Sequence, residues 1–224
     1  MQQPRVVAFT PDGKLAYSLN TNSVSAIDTK THSVIATLSM PIGQEVAVVF
    51  TPDGKTAYVT NNTANSVTAI DTKTHSVIAT VPVGANPNAI AITPGGKIAY
   101  VSTVSPSNSI FVIDTKTHSV IATVPAGTSS GAAIAITSDG KIAYATNNLN
   151  NSVSVIDTKT HSIIANIPVG ANPNAIAITP DGKLAYVTIP SPSNTVSAID
   201  TKTHSIIATI PVGAGPNAVA FMPN

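Results

Sequence analysis

The sequence has no cysteine, no tryptophan, few charges and no apolar run longer than a few residues. Without cysteine there are no disulfides, thiolate metal ligands or cysteine nucleophiles, though the compartment stays open. Charged residues make up 9% of the chain, against roughly 25% in typical soluble domains, and Ser, Thr and Asn fill the gap. The net charge is +1 and the basic residues never cluster, which argues against nucleic acid or an anionic membrane surface as partner. A helix needs about 20 successive apolar residues to cross a bilayer, so no membrane insertion is expected. The opening MQQPRVVAF has no basic segment followed by an apolar one, and no signal peptide is read there.

What the chain does have is repetition. The block DTKTHS occurs five times, starting at Asp28, Asp71, Asp114, Asp157 and Asp200, each 43 residues after the last. TPDGK or a close variant starts at Thr10, Thr51, Thr93, Thr137 and Thr179. All five tyrosines, Tyr17, Tyr58, Tyr100, Tyr144 and Tyr186, fall in a third block, Ala-Tyr. A period of about 40–45 residues is that of a propeller blade.

Each unit parses into four short strands. In the third unit these are residues 89–93, 98–102, 109–113 and 119–124, rich in Val, Ile, Thr and Tyr and bounded by turn formers. The turns suit hairpins: Pro fixes φ, Gly supplies positive φ, and Asp bonds the backbone two residues on. No sustained 3.6-residue period exists, and 17 prolines would interrupt one. Both alternating strand faces are apolar or small, with Ile90 and Ile92 opposite Ala89 and Ala91. A two-sheet sandwich would show a polar face, whereas sheets covered on both sides by other sheets form a propeller. The expectation is one all-β domain over residues 1–224, a five-bladed β-propeller of four-stranded antiparallel blades. The first-strand motif occurs a sixth time, residues 217–222 repeating residues 5–10. An unpaired strand edge is sticky, so this copy is expected to pair. Either one terminal copy completes the closing blade, or the extra strand links chains into a homo-oligomer.

The run from Pro173 through the YVT at 186–188 to Gly213, with YVTNN at 58–62, resembles the YVTN-type β-propeller repeat of bacterial and archaeal secreted and surface-layer proteins. The resemblance covers essentially the whole chain. It implies an extracellular or cell-surface location and a role in adhesion or ligand binding. Propellers of this kind are sometimes enzymes such as lactonases. They commonly have seven blades, where this chain has five complete units.

The chemistry-bearing residues are mostly absorbed by the repeat. His32, His75, His118, His161 and His204 follow the turn between third and fourth strands, some strand spacings of ~4.8 Å out from the inner strand. That radius separates them well beyond a shared metal, whose zinc–nitrogen bonds are about 2.0–2.1 Å. Each ring is expected to pack on or cap its own hairpin. Nine aspartates sit in turns and Glu45 is the tenth acid; all ten lysines also lie in turns. No asymmetric acid–base pair, no paired glycosidase carboxylates, no GxSxG elbow and no phosphate-cradling glycine loop is visible. No metal and no cofactor are implied.

Arg5 and Glu45 alone break the charge pattern, and Asn88, Asn174 and Asn217 stand where Arg5 stands in the first unit. These five are the candidate ligand-binding residues at the channel mouth, where the loops vary most. A backbone-capping role for the asparagines is the plainer alternative. Sequons at Asn61 and Asn150 would permit glycosylation in exposed loops. A lectin is disfavoured, because no aromatic residue lies in a loop to stack on a sugar. The expected function is a non-enzymatic scaffold that binds an unidentified protein or small ligand on its loop face. The alternatives are a lactonase-like enzyme using Glu45, Arg5 and the asparagines, and an amplified or engineered array without a selected ligand.

Overall fold

A computed structural model describes residues 6–40, 43, 47–104, 106–127 and 132–221. Its twenty strands form five four-stranded antiparallel sheets, the strand inventory of a five-bladed β-propeller. The first blade is β1 (Val6–Phe9), β2 (Leu15–Leu19), β3 (Ser23–Asp28) and β4 (Ser33–Ser39). The second is β5 (Val48–Phe50), β6 (Thr56–Asn61), β7 (Ser66–Asp71) and β8 (Ser76–Pro82). The third is β9 (Pro87–Ile92), β10 (Ile98–Thr103), β11 (Ile110–Asp114) and β12 (Ser119–Val124). The fourth is β13 (Ile134–Ile136), β14 (Ile142–Asn147), β15 (Ser152–Asp157) and β16 (Ser162–Pro168). The fifth is β17 (Ile176–Ile178), β18 (Leu184–Ile189), β19 (Thr195–Asp200) and β20 (Ser205–Pro211). In every sheet the strands lie side by side in chain order. By compactness the chain divides into two units, Met1–Ser107 with Phe111–Ile121, and Asn108–Ile110 with Ala122–Asn224.

Both hairpin turns are built by side chains bonding backbone. In the first, the Thr10 hydroxyl donates to the Asp12 carboxylate at 2.7 Å, which accepts the Lys14 amide at 3.1 Å. The chain reverses through Gly13, whose φ of 68° a residue with a side chain rarely adopts. In the second, the Asp28 carboxylate accepts the amides of Lys30 at 2.9 Å and Thr31 at 2.7 Å. His32 then takes φ 54° to enter β4, and all five histidines share this left-handed conformation.

The second and third strands carry the core. In the first unit Tyr17, Leu19, Val24 and Ala26 of one blade pack with Phe50, Ala57, Val59 and Ile70 of the next. In the second unit Tyr144, Val153, Val155 and Ile167 pack with Ile176, Ala185, Val187 and Ile199. Burial on both faces explains why these strands do not alternate apolar with polar.

The outermost strands differ. Ala26 faces Ala36 while Ile27 faces Val34, so Ile35 is an extra, unpaired residue. The same bulge recurs at Ile78, Ile164 and Ile207, which are 47–57% exposed. A bulge twists an outer edge away from further pairing, a standard protection against edge-to-edge association. It also explains the exposed pairs Val34 and Ile35, Val77 and Ile78, and Ile206 and Ile207 on the first, second and fifth blades.

The sixth copy of the first-strand motif departs from expectation. The amino-terminal copy, β1, pairs with β2 and completes the first blade. Residues 217–221 form no strand. An inner strand pairs with the second strand of its own blade, and no such strand follows this copy among the described residues.

Candidate functional site

The blade signature decodes residue by residue. In Tyr58-Val59-Thr60-Asn61, Val59 fills the core. The Thr60 hydroxyl accepts the Ala47 amide of its own inner strand, as Ser102, Thr146 and Thr188 accept those of Ala89, Ala133 and Ala175, all at 2.8–3.0 Å. Thr146 also donates to the Asn174 carbonyl one blade on, at 3.0 Å. Asn61 closes the next loop by accepting the Ala64 amide at 2.9 Å, and Asn147 does the same for Asn150 at 3.1 Å.

The tyrosines make joints between blades. Tyr17, Tyr58, Tyr100 and Tyr144 are fully buried. The Tyr17 hydroxyl lies 3.0 Å from His75 Nδ1, Tyr58 lies 2.8 Å from His118 Nδ1, and Tyr144 lies 2.8 Å from His204 Nδ1. The rings tilt against each other at 5.9–6.1 Å between centroids. Tyr58 also donates to the Thr115 carbonyl at 3.0 Å. Its single hydrogen being spent there, His118 donates from Nδ1 to the phenol oxygen, which fixes the imidazole tautomer. Burial, with the Asp71 charge second, pushes Tyr17 up to about 12. Burial and then Asp114 do the same for Tyr58. The histidines were expected to cap their own hairpins; His75, His118 and His204 bond the tyrosine of the preceding blade instead. The signal in sequence was the constant pairing of one Tyr and one His per unit, 58 or 60 residues apart across a joint.

The loops on the opposite side from the TPDGK and DTKT turns are also tied. Asn65, Asn151 and Asn194 sit at φ 50–51°. Their side-chain oxygens accept the amides of Asn86 at 3.0 Å, Asn172 at 3.2 Å and Gly215 at 3.0 Å. Each thereby locks the loop after the second strand to the segment that leaves the fourth strand of the same blade. Of the candidate ligand-binding residues, Arg5 and Glu45 lie outside the described residues. Asn88 is half-buried in β9, and its carbonyl lies 3.5 Å from the Thr60 hydroxyl. Asn174 and Asn217 come together: the Asn174 amide nitrogen donates to the Asn217 side-chain oxygen at 3.4 Å, and Asn217 is exposed. Sequon acceptor Asn61 is 6% exposed and already bonded, whereas Asn150 is exposed.

The turn side holds a groove of about 450 Å³ in the first unit, where Asp12 and Lys14 face Asp53 and Lys73. Related grooves of about 300 and 270 Å³ recur beside Asp53 and Asp139. Their carboxylates are held by their own turns. The Thr10 hydroxyl and then the Lys14 amide lower Asp12 to about 2. The Thr31 amide and hydroxyl lower Asp28, and the Thr74 amide and hydroxyl lower Asp71. A carboxylate so stabilised is a weak general base near neutral pH. Among the described residues no three of His, Cys, Asp or Glu gather in a metal-binding group.

Two protein families match, each over just over half of the chain. The family described as lactonase, 7-bladed beta-propeller matches residues 104–220. The cytochrome D1 heme domain matches residues 17–133. Among solved structures, a chain of Kuenenia stuttgartiensis hydrazine synthase superposes with a TM-score of 0.84 at 28% identity. That match covers 96% of this chain and 67% of the other. No curated protein matches.

Proposed function

From the premise that the chain belongs to the seven-bladed β-propeller lactonase family, and matches the cytochrome D1 heme domain over a similar span, we propose that it is a non-enzymatic binding scaffold. The partner is a protein or small ligand held by the loop face, and the repeat is of the YVTN type. Family membership speaks to the fold, since one propeller architecture carries many functions. One observation carries the reading: all nine aspartates accept hydrogen bonds inside their own turns. An acid–base catalyst needs groups in unlike environments, and these repeat one environment many times. Location at the cell surface follows from the likeness to surface-layer repeats, and protease shaving of intact source cells tests it: release of fragments from the surface is expected, and full protection refutes it.

The lactonase match favours a second reading, catalysis at the loop face with Glu45, Arg5 and the asparagines. A pH-stat assay on simple γ- and δ-lactones, with calcium or magnesium added, separates the two. No hydrolysis above the buffer rate is expected. Saturable hydrolysis that disappears in Glu45→Gln would replace the scaffold reading with the enzymatic one.

A further inference from the structure

The turn-side grooves lie between successive blades, and their linings differ in charge. The first is framed by the Asp12 turn and Asp28 of the first blade and by the Asp53 turn and Lys73 of the second. At about 450 Å³ it falls within the range of small-ligand sites, and it lies wholly inside the first unit. Its walls are fixed. The Thr29 hydroxyl donates to the Gly13 carbonyl at 2.7 Å and the Thr72 hydroxyl to the Gly54 carbonyl at 2.6 Å, tying the two turns of each blade together.

Most of the charge around this groove is already used. Lys14 pairs with Asp12 at 3.1 Å, and Lys55 pairs with Asp53 at 3.7 Å. Two groups are left over, one of each sign. The Lys30 amide, the Thr31 amide and the Thr31 hydroxyl all donate to Oδ1 of Asp28, so Oδ2 has no hydrogen-bond partner among the described residues. Those bonds, the Thr31 amide first, hold Asp28 below the ordinary carboxylate range and keep it charged at neutral pH. On the other wall Lys73 is exposed and makes no ion pair among the described residues.

The other two grooves lack this combination. The one of about 300 Å³ has neither Asp71 nor Lys116, the counterparts of Asp28 and Lys73, and Gly95 stands where the other turns carry Asp. The one of about 270 Å³ has Lys202 but not Asp157.

We propose that the first groove binds a small zwitterion, its ammonium on Asp28 and its carboxylate on Lys73. Hydrogen bonds between charged groups are the stronger kind, and both ends of such a ligand make one. A singly charged molecule satisfies one wall and leaves the other charge bare. Among the described residues no aromatic ring lines the groove to stack on a neutral sugar. The class is that of amino acids and their ω-amino homologues, taken on the turn side, away from the loop face.

Isothermal titration of the full chain with 6-aminohexanoate, and with glycine as a shorter zwitterion, tests this. At least one of the two should bind one-to-one, and hexylamine and hexanoate should each bind at least roughly tenfold more weakly. Lys73→Ala and Lys73→Glu alter an exposed side chain, so both should keep the melting temperature yet lose at least roughly tenfold in affinity. Lys116→Ala and Lys202→Ala, at the same turn position in other blades, should bind as wild type does. Neither zwitterion binding overturns the proposal. So does hexylamine or hexanoate binding as tightly as the zwitterion, a Lys73→Ala chain that binds like wild type, or loss of binding in Lys202→Ala.

Discussion

Tyr58 gives the sharpest test of the joint chemistry. Its ring is fully buried, and its hydroxyl bridges the Thr115 carbonyl at 3.0 Å and His118 Nδ1 at 2.8 Å. Truncation to Ala removes the ring and leaves a cavity between packed sheets, which costs about 3–5 kcal/mol. In a domain of this length each kcal/mol moves the melting temperature by about 2–4 °C, so Tyr58→Ala should lower it by about 6–20 °C. Tyr58→Phe keeps the ring but strands the carbonyl and the imidazole. Losing buried partners costs about 1–3 kcal/mol, and the half-exposed His118 places the value near the lower end. His118→Gln should cost a similar amount, and the two losses should not add, because one contact is removed twice. Lys55→Ala, just before the same strand, loses only a 3.7 Å pair with Asp53 whose side chains are 81% and 56% exposed, and should stay within about 0.5 kcal/mol. Urea and thermal unfolding by circular dichroism would read all four variants. Equal effects at Tyr58 and Lys55 would show that the buried faces are misassigned. Full additivity of Tyr58→Phe and His118→Gln would show that the hydroxyl and the imidazole do not act on each other.

Acid should destabilise the chain in a defined window: Asp12, lowered from 3.8 to about 2, and the likewise lowered Asp28 and Asp71 give stability present above their ordinary range and lost as pH falls through the folded values. Calorimetry from pH 5 to pH 2 should show a falling melting temperature, and a flat profile would contradict the turn bonding. At the alkaline end the sign reverses, since Tyr17 and Tyr58, raised from 10.0 to about 12, confer stability present below the ordinary value and lost as pH climbs through about 12. Absorbance at 295 nm should show these two ionising late and together with unfolding; early ionisation would mean the rings are wet. On the outer strand, Ile78→Thr at the bulge should stay within about 0.5 kcal/mol, whereas Val81→Ala, three residues on and 2% exposed, should cost about 2 kcal/mol. Equal costs in urea unfolding would place the bulge elsewhere.

The amino-acid sequence by itself determined the local architecture, because a 43-residue repeat of turn chemistry and β-branched runs admits few readings. The strands assigned at 89–93, 98–102, 109–113 and 119–124 lie within two residues of β9 to β12 at every end. Burial of the Ala-Tyr tyrosines was legible too, since an apolar strand with no polar face has to be covered on both sides. Local pattern could not say what covers each strand. The Tyr–His bond joins residues in different blades, and nothing within either unit encodes which neighbour it meets. Bulges at Ile35 and Ile78 depend on cross-strand register, which reads the same in sequence with or without one extra residue. For the candidate site, the equivalence of Asn174 and Asn217 was visible, but their hydrogen bond required one repeat to lie beside the next. Tertiary structure alone decided the differences between identical motifs. Residues 217–221 repeat the motif of β1 yet form no strand, and Tyr186 repeats Tyr144 yet stays half-open. A repeat specifies the same surfaces each time, and only the presence or absence of a neighbour determines which of them are buried.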